Sequence, residues 1–479
     1  MTIASFQFLA FAFAVIVLYN LARPRAWRQG VLFVASVCFL ATFSSSLKTF
    51  VPVVAFLALG YIGVRLMQNA WRRSAFIPFL VGIILIFVWL KKYTFLPSSS
   101  FLHFAYVTIG LSYILFRVLH LIIDTRDSSI SDKVGLIDYL NYTLNFTTLV
   151  SGPIQWYQDF AAMQLSAVRP PLTSIIAGES LERVVVGFFK MTVLSMAFSS
   201  IQHSALALLS SAQPFVARVG TGMVIAVAYP IYLYCNFSGY TDIVIGIAGF
   251  LRLTLPENFN RPFASLNFID FWGRWHMTLS NWLKTYVYNP LLKASMQRFP
   301  SRDIEPFLGV FAFFVTFFLI GAWHGQTSVF IVYGVWLGLG VSVNKLYQVL
   351  MIRRLGRKGY KTLAARKVYQ AFARGLTFTW FTFTLFWFWS NWNQMAWLAR
   401  SLGAPAIAIM WALIFLGATV VLAAYEAIRN WALSIQWNSR PLLLSRYVRT
   451  AWDTALITTA VLVLAITNAP APEVVYKVF

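Results

Sequence analysis

Residues 304–325 read IEPFLGVFAFFVTFFLIGAWHG, an apolar run with Glu305 near one end and His324 near the other. A helix needs about 20 mostly apolar residues to cross the hydrocarbon core of a bilayer. The part between Pro306 and Ala322 approaches that length and contains no charged residue. This stretch therefore predicts a membrane-spanning α-helix that ends at a histidine.

Similar apolar runs recur along the whole chain, which has 479 residues, 59% of them hydrophobic and 11% charged. Soluble domains have about 25% charged and 45–50% apolar residues, so the composition excludes a soluble enzyme, a disordered chain and a disulfide scaffold. The runs are longer and more continuous than the alternating, roughly 10-residue strands of a barrel. We predict an all-α polytopic membrane protein with about 11–13 spans. The apolar segments are 4–22, 30–46, 49–67, 75–90, 102–123, 134–152, 184–208, 219–237, 239–254, 304–322, 327–350, 374–391, 404–425 and 452–468.

The basic residues lie mostly between these runs and give a formal net charge of +23. Cytoplasmic loops of membrane proteins carry an excess of Lys and Arg, so we interpret the charge as loop topology and not as nucleic-acid binding. The segments 353–374 and 429–449 are predicted to be cytoplasmic, whereas Lys91 and Lys92 depart from the alternation. The N-terminal run precedes its positive charge, as in a spanning helix and unlike a cleavable signal peptide. Both termini are expected to be external.

Residues 255–303 interrupt the apolar pattern with a segment rich in Asn, Trp, Arg and His. The segment is too polar to span a membrane and too aromatic for a free loop. Aromatic and basic residues together suit a membrane interface or a cavity wall. We predict re-entrant or interfacial helices packed inside the protein, where the backbone polar groups can be satisfied.

His324 is the first of two histidines that stand out among the five in the chain. A histidine near membrane depth is costly unless it lines a cavity or is paired. Gly321 and Gly325 on its two sides would allow close approach of another backbone or a ligand. The local sequence leaves two interpretations open: a chemically active histidine in a cavity, or a structural one at a helix end.

His276 is the second, in the segment FWGRWHMTLSNW (271–282). If this segment is one helix, Trp272, His276 and Ser280 recur at i, i+4 and i+8 and share a face. Such a face suits the lining of a pore or tunnel. An interfacial aromatic belt explains the same spacing and is the favoured interpretation from spacing alone.

The other polar residues in apolar surroundings are interpreted as structural. Asp242 lies between two apolar runs and is expected to pair with a nearby basic residue: Arg252, Arg261 or Arg274. The chain has no HExxH, GxxxxGK[ST] or GxSxG motif, so metal, nucleotide and serine-hydrolase chemistry are not expected. The remaining histidines are expected to be structural: His103, His120 and His203.

Four motifs between residues 236 and 326 together resemble the membrane-bound O-acyltransferase family. They are FSGYTD (237–242), PENFNRPF (256–263), FWGRWHMTLSNW (271–282) and WHG (323–325). The resemblance is to the bacterial branch that includes the membrane subunit of alginate O-acetylation and the teichoic-acid D-alanyl transfer protein. It implies one domain over 1–479 with a central funnel, a catalytic core at 236–326 and a tail at 470–479.

The resemblance also implies roles for individual residues. His324 matches the catalytic histidine of the family, and His276 matches the second, supporting histidine of the bacterial branch. A histidine with a pKa near neutrality can take the proton of an alcohol that attacks a thioester. The residues implied to line the acyl-donor tunnel or to stabilise the oxyanion are Trp272, Trp275, Ser280, Asn281, Trp323, Asn258, Ser238 and Asp242.

The implied substrates and partners lie on both sides of a bacterial inner membrane. The donor is expected to be acetyl-CoA or an acyl carrier protein, as a substrate, with no permanently bound cofactor and no metal. The acceptor is expected to be an extracytoplasmic polysaccharide, reached directly or through a periplasmic acyltransferase of the SGNH type. Membrane lipids are further expected partners, and nucleic acid is not.

The chain ends EVVYKVF (473–479), which resembles a Tyr-x-x-Phe ending of related systems. The resemblance implies an acyl relay through Tyr476, with a tail of no catalytic role as the alternative. LLKASMQRF (291–299) replaces a glycine-rich basic segment of alginate-type members, and helices follow residue 370 that the D-alanyl branch lacks. D-alanyl transfer, a non-catalytic transporter or flippase, and a structural scaffold therefore remain alternatives to acetyl transfer.

Overall fold

The computed structural model describes residues 1–69, 74–130, 132–164, 166, 170–437, 440–442, 445–467 and 472–473. This part of the chain is almost entirely helical, which confirms the all-α class. Its strands are two residues long, Gln436–Trp437 and Arg440–Pro441, and pair antiparallel. The helices are α1 Phe6–Leu21, α2 Arg25–Ala41, α3 Val51–Met67, α4 Phe76–Leu90, α5 Leu111–Arg126, α6 Leu136–Thr143, α7 Tyr157–Gln164, α8 Ser174–Phe189, α9 Ser195–Leu209, α10 Phe215–Phe250, α11 Phe268–Trp272, α12 Met277–Leu283, α13 Asn289–Arg298, α14 Glu305–His324, α15 Ser328–Ala364, α16 Lys367–Trp389, α17 Trp392–Leu402, α18 Ala404–Ser434 and α19 Arg446–Thr467.

Seven helical stretches within the described residues are long and apolar enough to cross a membrane, and α1 and α4 are apolar but shorter. The polytopic class is thereby confirmed, with fewer long spans than the expected 11–13. Two predicted segments, 219–237 and 239–254, form the single long helix α10. The seven stretches are 47–67, 174–209, 215–250, 305–324, 328–364, 404–434 and 446–467.

The described chain divides into two compact units. The first comprises residues 1–192, 236–256 and those from 456 onward, and the second comprises 193–235 and 257–455. Helix α10 contributes its first part to the second unit and its last part to the first. The motif-bearing stretch 236–326 is likewise shared, because residues up to 256 belong to the first unit.

The first unit contains a buried segment without helical structure at 144–155. The sequence predicts a span over 134–152, but the helix there ends at Thr143. The Arg117 guanidinium, buried on α5, donates hydrogen bonds to the carbonyl oxygens of Tyr142, Thr143 and Thr148 at 3.2, 2.8 and 2.7 Å. Irregular backbone is tolerated inside a membrane protein only where the protein satisfies it, and Arg117 does so here.

The second unit is organised around the pair α14 and α15. A Cβ built on Gly321 would lie 2.1 Å from the Cα of Gly334, so the two helices cross where neither has a side chain. Small residues allow such close crossings of membrane helices. The close approach expected at Gly321 is therefore made by another backbone, and it fixes the end of α14 that carries His324.

Candidate functional site

His276 lies in a turn between two short helices and not within one helix. Helix α11 ends at Trp272, His276 has φ 44° and ψ 50°, and α12 begins at Met277. A left-handed conformation is uncommon for a residue other than glycine and stores strain. The predicted shared face of Trp272, His276 and Ser280 is therefore wrong, because the helix that would carry it is interrupted at 273–276.

The turn is held by pairing with a segment that is distant along the sequence. Phe259 and Trp275 form an antiparallel bridge. The backbone N–H of Asn260 donates to the carbonyl of Arg274 at 2.9 Å, and the N–H of Met277 donates to the carbonyl of Asn258 at 3.0 Å. The two motifs PENFN and RWHM thus fold as one piece, and 255–303 is confirmed as a non-spanning segment within the described residues.

The Asn258 side chain sets the orientation of the His276 ring. Its Oδ1 accepts hydrogen bonds from the backbone N–H of Thr278 at 3.2 Å and from Thr278 Oγ1 at 2.9 Å, and lies 3.2 Å from His276 Nδ1. A backbone N–H can only donate, so the amide oxygen must face this cluster. His276 Nδ1 therefore carries the ring proton, and Nε2 keeps its lone pair.

The His276 ring is 1% exposed. Burial lowers the pKa of His276 to about 3, because a charged imidazolium is poorly solvated inside the protein. The ring is therefore neutral at pH 7. In this state Nε2 can accept a proton or a hydrogen bond.

We expect the buried neutral His276 to make folding less stable as the pH falls. The unfolded pKa is about 6.5, so between that value and about 3 the unfolded state binds a proton that the folded state does not. The His276 contribution is therefore fully present above pH 6.5 and is lost as the pH falls. Thermal unfolding in detergent at pH 7.5, 6.0 and 5.0 should show a steeper decline for the wild type than for His276→Gln. Parallel declines would contradict a titrating His276.

His324 is the last residue of α14, and its ring is buried in an aromatic setting. Ring centroids lie 4.7 Å from Trp323, 5.9 Å from Tyr333 on α15 and 5.2 Å from Phe388 on α16. A Cβ on the following Gly325 would lie 2.0 Å from the Phe330 ring. The turn after His324 is thus closely packed, which holds the imidazole in place.

Helix α16 contacts both histidine segments with one face. Phe381 packs on Trp275, next to His276, at 4.9 Å between ring centroids, whereas Phe388 packs on His324 at 5.2 Å. Residues seven apart lie on the same face of a helix, about 10 Å apart along its axis. The structure therefore brings the two histidine segments to neighbouring levels of α16.

The part of α10 in the second unit contacts aromatic residues at the same two levels of α16. Tyr234 lies 6.2 Å from Trp275, and Tyr229 lies 6.5 Å from Phe388, again between ring centroids. Five helical residues correspond to a rise of about 7–8 Å. Both helices thus place the two histidine segments about 7–10 Å apart along the helix axis. The two segments therefore belong to one aromatic-walled region of this unit.

Three buried polar atoms in the His276 segment have no hydrogen-bond partner among the described residues: Trp272 Nε1, Asn258 Nδ2 and Ser280 Oγ. Buried donors are rarely left unmatched, since each costs about 1–3 kcal/mol. Trp272 also packs on Phe317, two turns before His324 on α14, at 5.2 Å between ring centroids. These atoms are therefore candidates for contact with a substrate.

The other sequence-predicted residues of this unit lie less deeply. Trp323 is half-buried and contacts His324, whereas Asn281 is exposed on α12. Asn281 is therefore not part of the buried cluster. Phe388 and Tyr333, which contact His324, were not singled out from the sequence, because aromatic residues are common throughout α15 and α16.

Ser238 and Asp242 belong to the first unit, and Ser238 is buried. Asp242 pairs with Arg183 at 3.1 Å and with Lys190 at 2.7 Å. It is therefore a paired structural acid, as predicted. Its predicted partners are wrong, because Asp242 pairs with Arg183 and Lys190 of the neighbouring α8 segment instead. The three arginines predicted as its partners contact other groups: Arg252 contacts Asn20, Arg261 contacts Glu426, and Arg274 contacts Asp270. The predicted relay residue Tyr476 lies outside the described residues.

The chain is similar to one protein-family model and to several known proteins. The model of the membrane-bound O-acyltransferase family matches residues 75–373. A teichoic acid D-alanyltransferase of Bacillus subtilis (strain 168) is 26% identical over 320 residues, which is 64% of this chain and 78% of the relative. One from Streptococcus thermophilus is 29% identical over 267 residues, covering 56% and 62%. A probable alginate O-acetylase of Pseudomonas fluorescens is 29% identical over 240 residues, covering 50% of this chain and 44% of the relative.

Proposed function

Because the chain belongs to the membrane-bound O-acyltransferase family, we propose that it moves an acetyl group from a cytoplasmic thioester to an extracytoplasmic polysaccharide, or to a partner protein that modifies one. The family and the multi-pass fold make the protein a membrane-embedded acyltransferase. The acyl group, the donor and the acceptor are our proposal. The surroundings of the two histidines support it.

The observation that carries the proposal is the placement of two buried histidines at neighbouring levels of α10 and α16. One of them, His276, is neutral with its Nε2 lone pair free of the ring proton. The other, His324, is held at the end of a spanning helix. A base that takes a proton from an alcohol must be neutral and within hydrogen-bond reach of the hydroxyl.

In the proposed reaction His324 acts as the general base. It takes the proton from the acceptor hydroxyl while the oxygen forms a bond to the thioester carbonyl carbon. The tetrahedral oxyanion then collapses, the carbon–sulfur bond breaks, and the thiolate receives the proton from His324. Each atom and proton is thereby accounted for, and His324 returns to its starting state.

The developing oxyanion needs hydrogen-bond donors that are already in position. Asn258 Nδ2 and Trp272 Nε1 are buried donors that have no partner among the described residues. Asn258 is also anchored by Thr278 through its oxygen, so its amide nitrogen points away from that cluster. We assign Asn258 as the principal oxyanion donor, with Trp272 as a second donor and His276 positioning the Asn258 amide through its Nδ1–H.

We favour an acetyl group over a D-alanyl group because an acetyl group is uncharged and can be buried without a charged partner. D-alanyl carries an ammonium, which needs a carboxylate or other acceptor when it is desolvated. The histidine contacts described above are with neutral groups: Asn258, Trp323, Tyr333 and Phe388. D-alanyl transfer is the second candidate, because the Bacillus relative of that name is matched over 78% of its length.

The donor is proposed to reach the protein from the side of the basic segment 353–374. The exposed cations there include Arg353, Arg354, Arg357 and Lys358. A cluster of this sign attracts the phosphates of coenzyme A or an acidic carrier protein. With this segment cytoplasmic, the termini are external and the acceptor, or a periplasmic SGNH-type partner, is met on the opposite side.

A two-donor assay tests this function. Membranes that contain the full-length protein are incubated either with acetyl-CoA or with a D-alanyl carrier-protein thioester, each labelled in the acyl group. We expect acetyl label to enter polymer or a membrane protein with release of an equal amount of free thiol. Membranes with His324→Ala serve as the control for background transfer. Incorporation from the D-alanyl donor alone would overturn the acetyl assignment, and no incorporation from either would overturn the thioester donor.

A further inference from the structure

A groove of about 660 Å³ lies in the second unit between α15, α16 and α18. Its volume is in the range of pockets that hold small molecules. The lining is apolar and aromatic, and it does not include either histidine. The side chains that decide its character are Tyr347, Tyr360, Tyr369, Phe372, Leu376 and Trp380.

The groove runs along one face of α16. Its lining positions on this helix begin at Tyr369 and end at Trp380, with the spacing of a single helix face. Eleven helical steps correspond to a length of about 16 Å. The tyrosines gather at the Tyr369 end, where the hydroxyls of Tyr347 and Tyr369 lie 3.4 Å apart. The groove is therefore hydroxyl-lined at one end and apolar along the rest.

The hydroxyl-lined end adjoins the basic segment 353–374, which includes the end of α15 and the start of α16. Arg357 and Lys361 lie on the helix that carries Tyr360, after the break in α15 at Gly356. Arg366 and Lys367 lie three and two residues before Tyr369, and all four cations are exposed. Residues 353–374 contain no acidic residue. A ligand whose apolar part fills the groove would thus have its polar end beside several cations.

We propose that this groove binds one acyl chain of an anionic phospholipid, with the lipid phosphate held by the basic segment 353–374. Basic pockets between membrane helices bind anionic headgroups in this manner. The groove is open at the side, since Phe372 is 49% exposed and Leu376 is 61% exposed. A lipid can therefore enter from the bilayer. This site shares the cations of segment 353–374 with the proposed approach of the acyl donor, whereas the groove itself is lined by neither histidine.

The polar end is tested with purified full-length protein in detergent. Retained lipid is counted by native mass spectrometry after addition of phosphatidylglycerol or phosphatidylcholine with identical chains. We expect phosphatidylglycerol to be retained in preference, and the double variant Arg366→Glu/Lys367→Glu to weaken its binding about tenfold or more. The matched control is Lys293→Glu/Arg298→Glu, which reverses two exposed charges on α13 outside the groove and should retain the lipid as the wild type does.

The apolar end is tested with Ala373→Phe, which fills the groove without changing charge. Val368→Phe is its control, because Val368 is 69% exposed and does not line the groove. We expect only Ala373→Phe to lose phosphatidylglycerol. Equal retention by Ala373→Phe and wild type, or equal retention of the two lipids by wild type, would overturn the proposal. Retention of a long-chain acyl thioester in preference to phosphatidylglycerol would overturn it in favour of a donor site.

Discussion

Acyl transfer is expected to fall about 10²–10⁴-fold when His324 is replaced by alanine, because a positioned general base contributes a rate factor of that size. The ring is 2% exposed and packed between α14, α15 and α16. No neighbouring side chain among its described contacts can replace it as a base, since these are Trp323, Tyr333 and Phe388. The measurement is labelled acetyl incorporation per folded molecule, with folding checked by size-exclusion chromatography in detergent.

Loss of a buried ring also costs packing energy, so the His324→Ala result needs a matched control. His120 is a buried histidine in the first unit whose Nε2 accepts from the backbone N–H of Tyr157 at 2.9 Å. His120→Ala should lower the melting temperature and keep activity per folded molecule. Wild-type activity per folded molecule in His324→Ala would exclude His324 as the base, and an equal activity loss in His120→Ala would indicate a structural effect.

The helical class and the position of His324 at the end of an apolar helix could be predicted from the sequence, because both depend on local features. Apolar composition specifies spanning helices, and the WHG motif ends an apolar run whatever surrounds it. The turn at His276 could not be predicted, since it depends on bonds from Met277 and Thr278 to Asn258, which lies 18 residues before His276. Helical spacing alone favours a continuous helix there.

Partners of buried charges were also beyond local inference. The sequence places Arg252 near Asp242, but the ion pairs form with Arg183 and Lys190, which lie some fifty or more residues earlier along the chain. The same holds for the predicted span at 134–152. Its mean apolarity suggests a helix, whereas its backbone is held in an irregular form by Arg117 from α5. Contacts that are distant along the chain decide the ion-pair partners in the first case and the backbone conformation in the second.

The second large effect is expected at Asn258, where two substitutions separate structure from catalysis. Asn258→Leu removes the acceptor for the Thr278 backbone N–H and for His276 Nδ1. Each buried donor left unmatched costs about 1–3 kcal/mol, so this variant should be markedly destabilised and lack activity. Asn258→Asp keeps an oxygen in the same place and preserves these bonds, but it replaces the buried Nδ2 donor with a second oxygen.

If Asn258 only positions His276, Asn258→Asp should fold and retain near wild-type transfer, because the acceptor contacts are kept. If Nδ2 stabilises the oxyanion, the carboxylate repels the developing charge, and transfer should fall about 10²–10³-fold in a folded protein. We expect the second result at pH 8, where three converging donors keep the carboxylate ionised. Thermal unfolding and acetyl incorporation measured on the same preparation distinguish the two. A stable Asn258→Asp variant with full activity would remove Asn258 from the oxyanion site and leave Trp272 as the remaining buried donor to be tested.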